Sequence, residues 1–293
     1  MNVSTPSASS APSARPSGRA ATALVLAGTG RTGSRLAARL TARGLTVRTA
    51  ARRGADVPFD WDDPATHRPA LAGADRLYLV PPVMRVDYAG QVAAFLDLAE
   101  HEGVRHVTYL SAYGIDRAAP QVALRAVELD LAARGSLSHT VLRPAWFMQN
   151  FSETFLKPMD DVITVPTGDG AEAFVDAEDI AAVAAATLAD PDAHAGAAYA
   201  LTGPEALTVG RAAGIIADVT GRPVTYRDID RDEWIRHTVA AGVPAAYGAM
   251  LRTLTETVAA GLGSRPTGDV EKVTGVPPIP FTAFARRTAR AWR

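Results

Sequence analysis

Cysteine is absent from this chain of 293 residues, which removes disulfides, iron–sulfur ligation and thiol nucleophiles from consideration. Lysine is nearly absent too: Lys157 and Lys272 stand alone, so chemistry that needs a lysine ammonium has almost no source. Neither sign of charge dominates, since 30 basic side chains face 31 acidic ones, and this leaves no broad footprint for nucleic acid or an anionic membrane. No apolar run is long enough to cross a bilayer; the best helical stretch, residues 180–189, falls well short. A G-x-S-x-G elbow and a Walker A loop are both missing. His67, His101, His106, His139, His194 and His237 show no metal-ligand spacing, so no metal is expected. These absences point to a small-molecule partner and are compatible with the cytoplasmic location expected, with monomer or homodimer left open.

The chain does carry a glycine-punctuated turn. A short apolar run, residues 23–27, leads into Gly28-Thr29-Gly30-Arg31-Thr32-Gly33, and Leu36, Ala37 and Leu40 then form one helical stripe. A strand that enters a helix through G-x-G-x-x-G binds a dinucleotide. Gly28 is expected to make the tight turn, Gly30 to admit the pyrophosphate and Gly33 to pack the helix on the sheet. The anion would sit on unpaired N–H groups at the helix start.

Short apolar strands alternate with helices along most of the chain, the pattern of a parallel sheet covered on both faces. Strands are expected at 23–27, 46–50, 76–80, 106–110, 140–142 and 173–175, and helices at 31–43, 85–102, 121–134 and 177–189. Asp176 and Asp179 read as a capping pair for the last of these. Beyond Pro204 helices dominate, at 208–220, 231–241 and 245–262. A final helix carries Phe281, Phe284, Thr288 and Trp292 at helical spacing. Residues 1–20, rich in Ser, Ala and Pro without an apolar core, read as a disordered leader and not a secretory signal, although a transit peptide shares that composition.

The dinucleotide's identity should be written about twenty residues past the turn, where a carboxylate would hold the ribose diol of NAD. Arg52 and Arg53 stand there instead. A guanidinium pairs with a 2′-phosphate that a carboxylate would repel, so NADP(H) is preferred over NAD(H), with Arg31 a further positive group. Val80-Pro81-Pro82 and Ser111-Ala112-Tyr113 end two further strands and should edge the same crevice. The stretch from Arg143 to Phe151, with Trp146, Phe147, Met148, Gln149 and Asn150, mixes apolar bulk with two amides, as a substrate pocket does, although core packing explains its aromatics as well.

The ordered set of the glycine turn, Phe59-Asp60-Trp61-Asp62-Asp63-Pro64, Tyr78-Leu79-Val80-Pro81-Pro82, Glu128 before Leu142-Arg143-Pro144, Phe147 to Phe151, and Val175-Asp176-Ala177-Glu178-Asp179 resembles the NmrA-like atypical short-chain dehydrogenases. The branch it is most similar to includes the agroclavine dehydrogenases of ergot-alkaloid biosynthesis. The resemblance covers essentially everything after residue 20. It implies an α/β Rossmann fold with strand order 3-2-1-4-5-6 and a small, mostly helical C-terminal substrate part drawn from 145–172 and 203–293. Alongside the glycine turn, Arg52 and Arg53, the expected cofactor set comprises Asp60, Val80, Pro81, Pro82, Ser111, Ala112 and Pro144. The expected substrate set comprises Met84, Tyr113, Trp146, Phe147, Asn150 and Phe151.

One element of the wider superfamily is missing. A Tyr-x-x-x-Lys pair lowers a tyrosine pKa for proton donation, but Tyr113 is followed four positions later by Arg117. Tyr113 and Ser111 are left as candidate proton donors. Hydride addition to an iminium needs no acid, and addition to an enone or quinone delocalises the charge it creates. The expected activity is therefore NADPH-dependent reduction of an imine, enone or quinone-like molecule, in specialised-metabolite biosynthesis. Two alternatives share the fold: a catalytically silent redox sensor, and an isomerase or cyclase that keeps its cofactor as a scaffold.

Overall fold

Alternate residues of the first strand, β1 (Thr22–Leu26), face opposite ways, and both faces are covered. Leu24 and Leu26 join one core and Ala23 and Val25 another, as a parallel strand buried on both sides requires. The computed structural model describes residues 20–292, so the expected leader lies outside the described residues apart from Ala20.

Six more strands complete the sheet: β2 (Thr46–Ala51), β3 (Val57–Pro58), β4 (Arg76–Leu79), β5 (His106–Leu110), β6 (Ser138–Pro144) and β7 (Ala198–Leu201). Their spatial order is β3-β2-β1-β4-β5-β6-β7, and every neighbouring pair is parallel. The fold is the expected doubly wound Rossmann type. The two-residue β3 closes one edge with Pro58, which blunts pairing with another chain.

The expected strand at 173–175 is not part of this sheet. Val175 makes a single parallel bridge to Phe147, and the position beside β6 belongs to β7. Buried Ala173, Phe174 and Val175 look like a strand because they run through the interior between the sheet and the C-terminal region.

One face is covered by α2 (Ala89–His101) and α3 (Ala123–Ala133), the other by α1 (Gly33–Ala42) and α4 (Ala177–Ala189). In α1, Leu36 and Leu40 lie four apart and fully buried, and Gly44 just beyond takes φ +79°, a left-handed helix stop. Arg35 and Arg39 both reach Glu178 at the start of α4 (2.9 and 2.8 Å), binding the two helices together.

Asp176 caps α4 as expected, its side chain accepting from the Glu178 N–H. Asp179 does not share that work. Its Oδ2 accepts instead from the Ile279 N–H (2.9 Å), in the proline-rich segment that returns the chain to the sheet. Asp176 also receives Arg287, so the last helix, α8 (Phe281–Thr288), is pinned to the start of α4.

A separate apolar core holds the remaining elements: Met148, Phe151 and Phe174 pack with α5 (Val209–Thr220), α6 (Arg231–Ala240), α7 (Ala245–Ala259) and α8. Phe281, Phe284 and Trp292 are buried there, which accounts for their helical spacing. Two small sheets stiffen this lobe: Val162–Thr164 lies parallel to Thr225–Arg227, and Ala171–Glu172 antiparallel to Leu207–Thr208.

Candidate cofactor and substrate site

Strand order reverses at β1: the chain winds out to β3 and returns to β4 on the other side. A crevice therefore opens beyond the carboxyl ends of β1 and β4, where open α/β sheets take their ligands. The glycine turn sits at this point.

The turn is made by Ala27 and not by Gly28. Ala27 takes φ +52°, whereas Gly28 keeps an ordinary φ and donates its N–H to Ala50 O at 3.0 Å. Gly28 is required for another reason, since a Cβ there would lie 2.5 Å from the Thr49 Cβ. At Gly33 a Cβ would meet the Ala27 carbonyl at 2.2 Å, so only glycine lets α1 start against the turn. The N–H groups of Arg31, Thr32 and Gly33 have no partner among the described residues, and the Thr32 side chain does not cap them. This cradle fits a diphosphate.

The arginines divide. Arg31 is paired with Glu153 at 2.6 Å, tying the glycine turn to the segment after β6. Arg52 and Arg53, just past β2, are exposed and make no ion pair among the described residues. Gly54 lies close to the Thr29 methyl, so these arginines flank the turn. The nearby acid, Asp56, is committed elsewhere: its Oδ2 accepts from the Thr49 N–H and Oγ1 (both 2.8 Å), and these bonds hold its carboxyl below the usual range. Asp60 spends Oδ1 on the Asp62 N–H in a local turn. Its neighbours Phe59 and Trp61 pack with His67 and Phe95 as an aromatic cluster.

Beyond β4, Val80 and Pro81 are half-buried and Pro82 is buried, while Met84 stands exposed at φ +61°. Beyond β5, Ser111 and Tyr113 continue the ladder to β6, donating their N–H groups to Leu142 O (2.8 Å) and Pro144 O (2.9 Å), with Ala112 between them. Ser111 Oγ donates to Glu128 Oε1 at 2.7 Å, and buried Glu128 also accepts from Arg125 and Arg143. The Ser111 proton is thus already placed. Tyr113 is half-buried, and its hydroxyl has no partner among the described residues. Arg117 folds back against Gly114.

The strip after β6 separates by role. Trp146 is half-buried and meets Phe155 edge-on at 5.3 Å; Phe147, Val80 and Tyr113 are each partly buried against the sheet core. Gln149 donates to Asp176 Oδ1 (2.9 Å) and accepts from the Ala177 N–H (3.0 Å), a clamp that fixes the strip to α4. Asn150 Oδ1 accepts from Thr154 Oγ1. Phe151, expected at the substrate, is instead a core residue, fully buried between Phe174 and Phe281. Sequence reasoning missed Glu172. This buried carboxyl accepts from the Trp146 N–H at 3.3 Å, has no cationic partner among the described residues, and is pushed up to about 7 by burial. Nothing local marks it, because its burial comes from distant segments.

The NmrA-like family matches residues 19–272. The chain belongs to the NmrA-like family. It is 37% identical over 278 residues to the uncharacterised oxidoreductase YesF of Bacillus subtilis, spanning 92% of this chain and 96% of that one. The agroclavine dehydrogenase of Claviceps fusiformis is 33% identical over 246 residues, with 80% and 83% covered. With such relatives this NmrA-like chain is an oxidoreductase. The triphenylmethane reductase of a Citrobacter species, solved with NADP(H), superposes with a TM-score of 0.72 at 21% identity, covering 92% of this chain and 99% of that one, which supports the fold. No helix among the described residues is long and apolar enough to cross a membrane, and no group of His, Asp or Glu side chains there can hold a metal ion.

Proposed function

We propose that this protein is an NADPH-dependent reductase of an imine or iminium, enone or quinone-like small molecule. The observation that carries this reading is the combination of three N–H groups at the start of α1 with two guanidinium groups past β2, all without partners among the described residues. The first fits a diphosphate and the second a 2′-phosphate. Bound there, a dinucleotide would extend its nicotinamide towards the ends of β5 and β6, where Tyr113, Trp146 and Phe147 stand.

The cofactor supplies the hydride; the protein's work is to orient it and exclude water. Phe147 and Trp146 provide an apolar wall. Tyr113 offers a hydroxyl that donates or relays a proton where the acceptor becomes an anion, as an enone or quinone does. An iminium becomes a neutral amine on hydride transfer and needs no such donor. Ser111 is poised to accept a hydrogen bond, since its own proton is turned to Glu128. The lobe built from 145–172 and 203–293 takes the substrate. The related agroclavine dehydrogenase makes specialised-metabolite biosynthesis the natural setting.

The test is NADPH oxidation, followed by absorbance, across a panel of iminium, enone, quinone and simple ketone acceptors. Turnover of at least one of the first three classes, with ketones inert, is expected. NADPH binding without oxidation by any acceptor would overturn the reductase reading.

A further inference from the structure

A cavity of about 370 Å³ opens in the lobe beside the small sheet formed by Val162–Thr164 and Thr225–Arg227. That volume lies within the about 300–1,000 Å³ typical of small-molecule sites. Phe155, Met159 and Val162 supply its apolar wall, and Lys157 and Arg227 supply two cations. Neither cation has an ion-pair partner among the described residues; Arg227 makes only a 3.5 Å contact to Thr164 Oγ1. Asp160 is the one acid on the lining, since neighbouring Asp161 pairs with Arg222 at 2.5 Å.

The groove is open to solvent, and two features define it. Asp160 and Asp161 both hold positive φ (48° and 62°) in a tight turn closed by reciprocal hydrogen bonds between Met159 and Val162 (3.0 and 2.9 Å). This two-residue hairpin turn, of a kind Asp adopts readily, fixes the rim and leaves Met159 78% exposed there. Phe155 also joins the cavity to the site described above, because its ring contacts Trp146 at 5.3 Å and Trp234 at 6.2 Å.

We propose that this cavity is the outer part of the substrate site and selects an aromatic acceptor that carries an anionic substituent. The aromatic body lies against Phe155 and Met159, and the anion is held by Lys157 and Arg227. This rests on the reductase reading for the words "substrate" and "acceptor", but the binding itself does not.

The experiment measures binding and turnover separately on the full chain. Binding of naphthalene sulfonate and of a neutral naphthalene methanol is followed by calorimetry and by quenching of the tryptophans that flank Phe155. Reduction of a naphthoquinone and its sulfonate is followed by NADPH oxidation. The sulfonate should bind about tenfold tighter at low salt and lose that advantage as salt rises. Lys157→Met and Arg227→Met should each cut the preference about threefold, and together abolish it, with the neutral ligand unaffected; Asp160→Asn should raise it. Equal binding of the two ligands by the wild type, or a preference unmoved by the double variant, overturns the proposal. Preferential binding with neither quinone reduced would support the site and count against the reductase reading. Equal reduction of both quinones would do the reverse.

Discussion

Tyr78 on β4 donates its hydroxyl to Thr32 Oγ1 at 3.0 Å, and both residues are buried beneath the glycine turn. The bond couples the strand that borders the crevice to the first residues of α1. Burial holds the Tyr78 hydroxyl protonated far above neutral pH, so it is a permanent donor. Tyr78→Phe should lower stability by about 1 kcal/mol, as loss of one buried neutral hydrogen bond does, and weaken dinucleotide binding several-fold. Thermal unfolding with and without NADPH reads both.

The strain at Ala27 makes a second expectation. A left-handed L-residue costs about 1–2 kcal/mol, and glycine's extra chain entropy takes back about 0.5–1. Ala27→Gly should therefore raise stability by up to about 1.5 kcal/mol, whereas Gly33→Ala, colliding with the Ala27 carbonyl, should cost about 3 kcal/mol. Urea unfolding of the two variants should move in opposite directions.

Glu172 gives a pH signature. Its carboxyl is raised from an unfolded value near 4.5 to about 7, so the folded state favours the neutral form. The stability this contributes is complete below about pH 4.5 and is lost as pH rises to about 7. Glu172→Gln keeps an oxygen for the Trp146 N–H and cannot ionise. It should match the wild type below pH 4.5 and exceed it above pH 7 by an amount on the order of 3 kcal/mol. Denaturant titrations across that range check the sign.

Glu128 serves as a counterweight. It satisfies Ser111, Arg125 and Arg143 at once, and removing it would leave partly buried Arg125 without an ion-pair partner among the described residues and Arg143 with only Asp116 at 3.8 Å. Glu128→Ala should cost about 3 kcal/mol, while Ser111→Ala should cost far less; chemical denaturation separates the two.

Local pattern made much of this legible in advance. The glycine turn, the alternation of strands and helices, and the helix stop at Gly44 depend on residues close together in the chain, and the sheet follows from them. β3 was missed because two residues ending in proline carry no periodic signal. Residues 173–175 were misplaced because an apolar run shows burial without showing its neighbour. The same limit applies between Trp146 and Phe151: both are aromatic, but only the packing of Phe174 and Phe281 sends Phe151 into the core. Glu172 and the cavity at Lys157 and Arg227 arise from segments far apart in the chain, where spacing carries no information.

In the proposed function, the amides of Arg31, Thr32 and Gly33 at the start of α1, without partners among the described residues, and the arginines past β2 take up NADPH. Calorimetric titration of NADPH and NADH into the wild type, Arg52→Asp and Arg53→Asp tests it most directly. NADPH should bind the wild type at least about tenfold tighter than NADH, and each replacement should erode that preference while leaving NADH affinity little changed. Equal affinities for the two dinucleotides, indifference to both replacements, or no heat of binding at all would contradict it.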